Sequence, residues 1–296
     1  MARKKQNIIV RMVYQLLKLI LRHPLVVSFL AIVIGGWYAY EVQIARPEQV
    51  FMGVPKSRYW HQPFTWVRIF RNANFMLGYS DLRGNPLWVS YQIKSVAKDA
   101  ERYKRPRNYT VDWRSINQVK HADYTHSGYD RGHMAPNYAI SRLYGKQAQL
   151  NTFLMSNITP QKPNLNQKLW QRLEEVEIKH FTQLNEQVWV LTGPVFMGDT
   201  KRLPNAMNVE IPAAFYKIYV LPCATDALRL IAFLIPQQVT GNESLTDYVT
   251  SVDAIEKLTG LDFFANLDDG IEESLEAMID IEPWQLQQVA NLKSRY

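Results

Sequence analysis

Cysteine is nearly absent from this chain. Cys223 stands alone among 296 residues, which excludes an intrachain disulfide; a lone thiol reads as a small core hydrophobe and marks no redox compartment. Acidic residues are missing from positions 1–40, where Arg3, Lys4, Lys5, Arg11, Lys18 and Arg22 give a net +6. That local shortage accounts for most of the overall +7, because the rest of the chain holds 28 Lys/Arg against 27 Asp/Glu. Net charge alone therefore does not argue for a polyanion partner. What the rest of the chain lacks is an even spread of charge. Residues 41–180 carry 21 basic against 11 acidic side chains (+10), and residues 181–296 carry 7 against 16 (−9). A basic half attracts polyanions through a field that salt weakens, and an ordinary solvated surface is the competing reading.

With 47% hydrophobic residues the chain can fill one sizeable core, so one domain with an appendage is expected. The appendage is N-terminal. Residues 25–40 run sixteen positions without a charge, apolar all round rather than striped, slightly short of the ~20 residues of a membrane span. Arg22 on one side and Trp37, Tyr38 and Tyr40 on the other can extend it by snorkelling and interfacial anchoring. Basic residues before the run and Glu41 after it predict an inside N-terminus and an exported C-terminal domain, periplasmic or extracellular. No small-x-small cleavage site follows, which favours an uncleaved signal anchor. A mitochondrial presequence is the alternative, since the segment is basic and free of acids, although it is poor in serine. The expected divisions are residues 1–41 as basic N-terminus and anchor, 42–66 as a proline-interrupted linker, and 67–296 as the globular domain.

Within that domain, Phe75-Met76-Leu77-Gly78-Tyr79-Ser80 and Leu87-Trp88-Val89-Ser90-Tyr91-Gln92-Ile93 flank a turn at Arg83-Gly84-Asn85-Pro86 and predict a hairpin. The run from Phe153 to Ile158 reads as a strand ending at Thr159-Pro160. A helix is expected from Asn164–Asn166, with Leu169, Trp170, Leu173, Val176, Phe181 and Leu184 on one broad apolar face. Residues 187–196, 215–221 and 228–235 read as further strands, the last two adjacent, and residues 251–260 as a capped helix ending in glycine. His121 and His126 are assigned to the surface. The acidic tail residues Asp268, Asp269, Glu272 and Glu273 offer Ca²⁺ ligands, with solvated surface the preferred reading.

The chemistry concentrates between Gly128 and Glu175. Asp130-Arg131-Gly132-His133 is followed by Ser156-Asn157-Ile158-Thr159-Pro160-Gln161 and then Leu165-Asn166-Gln167. An imidazole takes a proton from water near neutral pH, a guanidinium grips phosphate through two parallel hydrogen bonds, and a carboxamide oxygen holds a hard cation. Together these groups point to phosphodiester hydrolysis. Asn164 and Asn166 are each also reasonable helix caps, Arg131 is within reach of an ion pair with Asp130, and Glu174 of one with Arg172 or Lys168.

The three blocks in this order closely resemble the DNA/RNA non-specific endonucleases, the ββα-metal (His-Me finger) family of the Serratia nuclease and endonuclease G type, over roughly Phe75 to Leu267. The resemblance implies an α+β fold, a mainly antiparallel central sheet flanked by helices with a ββα-metal finger, here behind the N-terminal membrane anchor. It implies a metal-dependent sugar-non-specific endonuclease that leaves 5′-phosphate ends on DNA and RNA. It further implies His133 as general base, Arg131 and Arg107 as phosphate contacts, with Arg105 nearly as good a match as Arg107, and Asn157 as a polar residue positioning His133 or phosphate. Asn166 matches the metal ligand, and Glu174 matches a glutamate acting on the metal through water. The implied cofactor is Mg²⁺, with Mn²⁺ or another divalent ion as substitute, and a homodimer is compatible with it. Gly132 is expected to let backbone approach the substrate. A membrane-tethered nucleic-acid-binding protein without catalysis is the alternative, and a phosphodiesterase acting on small esters a third.

Overall fold

The computed structural model describes residues 15, 18, 22–184, 186–222 and 228–294, so Cys223 and the basic residues Arg3, Lys4, Lys5 and Arg11 lie outside the described residues. Contacts divide the chain into a first unit ending at Glu48 and a second starting at Gln49. In the first, helix α1 (Pro24–Tyr40) opens with proline, whose missing N–H costs nothing at a helix start, and continues as a π-helical turn, Glu41–Ala45. The combined 22 residues reach roughly 33 Å at ~1.5 Å per residue. Among the described residues this is the one helix long and apolar enough to cross a membrane. Its side chains Leu25, Phe29 and Ile32 are exposed.

The second unit begins earlier than expected. Residues 49–66, expected as the second part of the linker, carry a short strand β1 (Lys56–Ser57) and the buried Val50 and Thr65. β1 pairs antiparallel with β13 (Leu261–Asp262), far away in sequence, so no local period announces it.

The centre of this unit is a seven-stranded, wholly antiparallel sheet. It is built from β2 (Arg68–Arg71), β3 (Phe75–Ser80), β4 (Asn85–Ile93), β7 (Val188–Val195), β10 (Ala214–Pro222), β11 (Leu228–Pro236) and β12 (Val249–Thr250). Their order is β12-β11-β10-β7-β4-β3-β2. β3 and β4 form the expected hairpin with a bulge at Gly78/Tyr79, and its turn lies at residues 81–84 because Asn85 already pairs with Ser80. β10 and β11 are adjacent as expected, in register from Ala214↔Pro236 to Pro222↔Leu228.

Both faces of the sheet are covered, which turns its central strands into nearly continuous apolar runs. Along β10, Phe215, Tyr219 and Leu221 join one core, while Tyr216, Ile218 and Val220 join another. The period-two alternation of side chains thus separates two cores rather than core from solvent. The first core lies under helix α3, a continuous helix of the segments Leu165–Trp170, Gln171–Val176, Glu177–Phe181 and Thr182–Leu184, two of them π-helical. Its buried Leu165, Leu169, Trp170, Leu173, Val176 and Phe181 follow the predicted stripe. The second core lies under α4 (Val252–Thr259) and α5 (Asp269–Ala277). Ser251 caps α4 by accepting the Ala254 N–H, and Gly260, in the left-handed region at φ 69°, ends it as the sequence suggested.

Beside the sheet stands a smaller antiparallel pair, β5 (Asp130–His133) with β6 (Ile158–Gln161), joined by helix α2 (Asn137–Thr152), which kinks at Gly145. The strand expected over residues 153–158 does not extend that far back. Met155–Asn157 form a 3₁₀ turn, held by the Asn157 side chain, and β6 starts at Ile158.

Under α3 the first core contains charge. Lys217 and Glu177, both fully buried, pair at 2.9 Å. The Glu177 carboxylate also accepts from the hydroxyls of Tyr219 at 2.9 Å and Tyr91 at 3.2 Å, and the Lys217 ammonium lies 4.7 Å from the Trp170 ring centre. Every charge is matched, as burial requires. Either Lys217→Met or Glu177→Gln is expected to lower the unfolding free energy by about 3–5 kcal/mol, because each strands a buried charge or acceptor. The double variant should lose less than the two singles combined, and denaturant unfolding of all four proteins checks this.

Candidate active site

β5, β6 and the start of α3 bring the sequence blocks together. His133 ends β5, pairs with Ile158 in β6, and is half-buried. Its ring is packed between Tyr109 and Phe153, with ring centres at 5.4 and 5.1 Å. Nε2 is shut away from solvent without a hydrogen-bond partner. Burial first, and the Arg105 guanidinium second, lower the imidazole pKa from 6.5 to about 3.

Asn157 fixes the backbone just beyond that histidine. Fully buried, it accepts the Ala135 N–H at 2.9 Å and donates to the Ala135 and Thr152 carbonyls, while its own carbonyl accepts the Met134 N–H. Its carboxamide is thus engaged on both its oxygen and its nitrogen by backbone next to His133. Gly132 is buried, and a Cβ there would run into the Gln161 carboxamide of β6.

Asp130 ties β5 to α3. Its Oδ2 accepts from Asn166 Nδ2 at 3.0 Å and from Gln167 Nε2 at 2.8 Å. Holding the Asn166 amide nitrogen leaves that residue's carboxamide oxygen to the cavity, the way a second layer orients a ligand. Asn164 makes no side-chain cap, so capping does not account for this asparagine-rich start. Arg131 is not paired with Asp130. Its Nε and Nη2 donate to the His121 carbonyl at 3.1 and 2.7 Å, and Nη2 also to Thr125 Oγ1 at 3.1 Å. His121 therefore belongs to the site's framework, and its Nδ1 also accepts the Tyr109 N–H at 3.3 Å. His126 is exposed, as expected.

A cavity of about 250 Å³ opens between these elements, lined among others by Arg105, Arg131, His133, Asn137, Asn166, Gln171, Glu174 and Glu175. Four of the six residues singled out from sequence, His133, Arg131, Asn166 and Glu174, meet here. Arg107 does not: it is exposed and off the cavity wall, and Arg105 takes the place, with its guanidinium carbon 5.4 Å from the Phe153 ring centre and Nη2 3.4 Å from the Tyr109 hydroxyl. Tyr109 and Phe153 were not singled out from sequence: Tyr109 ends a basic loop and Phe153 opens an apolar run, and neither position signals contact with His133.

Glu174 stands two turns beyond Asn166 on the same side of α3. Burial first raises its carboxyl pKa to about 7, with Lys217 below pulling the other way. Glu175 beside it is held by Lys179 at 2.5 Å. The Asn137 Oδ1 is a further buried acceptor without a partner. Asn166, Glu174 and Asn137 together supply neutral and acidic oxygens, the donor set of a hard divalent cation.

Residues 65–270 match the DNA/RNA non-specific endonuclease family. The chain belongs to that family. Its relatives include "Nuclease EXOG, mitochondrial" of Homo sapiens, 32% identical over 225 residues, covering 70% of this chain and 59% of that protein. "Nuclease" of Serratia marcescens is 32% identical over 204 residues, covering 66% of this chain and 74% of that protein. "Endonuclease G, mitochondrial" of Bos taurus is 28% identical over 207 residues, covering 66% and 68%. Among solved structures, "Crystal structure of the EndoG/EndoGI complex: Mechanism of EndoG inhibition" aligns with TM-score 0.57 and 25% identity, over 68% of this chain and 86% of that chain. Its fold is this large antiparallel sheet flanked by helices. The chain thus spans 59% of the EXOG protein and about three quarters of the Serratia family member.

The depressed imidazole sets a pH dependence of stability. The unfolded chain protonates His133 below about 6.5, whereas the metal-free folded chain resists until about 3. Unfolding free energy should therefore fall as pH drops through that window, by at most ~1.4 kcal/mol per pH unit from this group. His133→Asn should remove that slope, read by denaturant unfolding of both proteins at pH 7, 5.5 and 4.5.

Proposed function

We propose that this chain is a metal-dependent endonuclease that hydrolyses the phosphodiester bonds of DNA and RNA without regard to sugar, leaving 5′-phosphate ends. The observation that carries the reading is the single cavity wall shared by the His133 imidazole, the oriented Asn166 carboxamide and two guanidinium groups. With Nε2 closed off, Nδ1 is the ring nitrogen left to face the cavity and take a proton from the attacking water. Arg105 and Arg131 carry the phosphate and the charge that gathers on its oxygens. Asn166 would hold a divalent cation, Mg²⁺ or Mn²⁺, directly, and Glu174 would hold it through water; bound there, it would supply Lewis-acid stabilisation of the phosphoryl group and the leaving oxygen. A phosphate against Arg105 offsets that guanidinium's effect on the imidazole and raises its basicity when substrate is bound.

Residues 24–45 act as an uncleaved anchor holding an exported catalytic domain, supported by length, apolarity and flanking charge. Mitochondrial placement is the second reading, favoured by the printed names of the EXOG and endonuclease G relatives.

The test is digestion of plasmid DNA and single-stranded RNA by the full chain in detergent, with Mg²⁺ or with EDTA. Both substrates should be cut only with metal, and His133→Ala should lower the rate by roughly 10²–10⁴-fold. Binding without cleavage across several divalent metals would leave the inactive tethered binder in its place. In the same assay Arg105→Ala should lose at least about tenfold, while Arg107→Ala should stay within a few-fold of the unmutated chain. The reverse order would restore Arg107 to the phosphate.

A further inference from the structure

A second group of carboxylates lies on the far side of the central sheet from the cavity. Asp253 and Glu256 are one turn apart on α4, and Glu276 stands in the last turn of α5. One carboxylate oxygen from each lies within 4.8 Å of the other two. The helices that carry them pack on the Tyr216, Ile218 and Val220 face of the sheet through Val252, Ile255 and Leu275, whereas α3 packs on the opposite face. Glu276 also lies beyond the stretch matched by the family, which ends at residue 270. The group is therefore neither part of the candidate active site nor implied by kinship.

Ordinary solvated acids do not look like this. Glu256 is 2% and Glu276 5% exposed. Glu256 is anchored, accepting the Phe263 N–H at 2.7 Å and Arg58 Nη1 at 2.9 Å. Glu276 has no such anchor: its Oε1 is buried and has no hydrogen-bond partner. Three carboxylates against the one Arg58 guanidinium leave a charge of −2. Buried like charges at this spacing need either a proton or a cation among them.

We propose that Asp253, Glu256 and Glu276 form a structural divalent-cation site, of the Ca²⁺ class, that clamps α4 to α5. Ca²⁺ sits at ~2.3–2.6 Å from its oxygens, so two ligands on opposite sides of it lie up to about 5 Å apart, and the spacing here falls within that reach. Half-exposed Asp253 gives the ion a way in from solvent. The end of α5 adds the negative pole of its backbone dipole. Without the ion, burial first and the Glu256 carboxylate second push the Glu276 carboxyl up to about 9, so a proton takes the cation's place at neutral pH.

The test uses the full chain in detergent, with Ca²⁺ as the probe, in the Asn166→Ala background so that the active-site cavity is not read instead. Equilibrium dialysis at pH 7.5 should find one Ca²⁺ per Asn166→Ala chain and none in Asn166→Ala/Glu276→Gln. Saturating Ca²⁺ should raise Tm by several degrees in the first and leave it unmoved in the second and in Asn166→Ala/Asp253→Asn. Glu276→Gln keeps the shape and stands in for the protonated carboxyl of the metal-free chain, so its metal-free Tm should match that of its parent, which guards against reading misfolding as lost binding. No Ca²⁺ uptake by Asn166→Ala, or equal uptake by the Glu276→Gln variant, would overturn the proposal and leave Glu276 as a buried carboxylic acid.

Discussion

The candidate site depends on one carboxylate oxygen. Asp130 Oδ2 receives the amide nitrogens of both Asn166 and Gln167, and so joins the end of one small strand pair to the first turn of α3. A carboxamide whose nitrogen is held by an anion has its oxygen committed to the opposite direction. The same contact fixes how far the His133 strand stands from the helix. Removing it would free the carboxamide to rotate, and either atom could then face the cavity. Three residues that look like separate motif letters in the sequence therefore act as one rigid part.

That part rests on a less conspicuous one. α3 carries Asn166 and Glu174 towards the cavity and Leu169, Leu173 and Val176 towards the sheet, so its rotation about its own axis sets where the ligand oxygens point. An apolar stripe alone tolerates some rotation. The buried Lys217–Glu177 pair tolerates much less, because both charges need their partner and the Tyr91 and Tyr219 hydroxyls at hydrogen-bond distance. The pair costs desolvation and returns a defined orientation of the helix that presents the site. Lys217 also lies close enough to Glu174 to favour its ionised form against burial.

How legible this was in the sequence depended on the range of the contacts. DRGH, the Asn157 block and LNQ are short contiguous runs, and four of the six residues drawn from them and their neighbourhood do meet at one cavity. Arg105 and Arg107 could not be told apart, because they flank Pro106 in a loop without a period. Arg105 lines the cavity through Tyr109 and Phe153, whose rings lie against it and also enclose His133. The run from Phe153 to Ile158 reads as a strand because it is apolar. It folds as a turn because Asn157 spends all its hydrogen bonds on neighbouring backbone. Residues 49–66 look like linker, since what holds them is a two-residue strand paired with Leu261 and Asp262. Lys217, inside the run from Phe215 to Leu221, gave no sign of its partner for the same reason: Glu177 is 40 residues away.

The charge asymmetry gains meaning from this architecture. The cavity residues Arg105 and Arg131 belong to the basic half of the chain, and the Asp253, Glu256 and Glu276 group belongs to the acidic half on the other face of the sheet. A basic segment of this kind attracts a polyanion through a field that salt weakens. Acids near the cavity are few and already engaged: Asp130 by two amides, Glu175 by Lys179, and Glu174 by a burial that favours its proton. A carboxamide oxygen such as that of Asn166 can bind a hard cation without adding charge, so it would serve a site that takes up both a cation and a phosphate, as the proposed function requires.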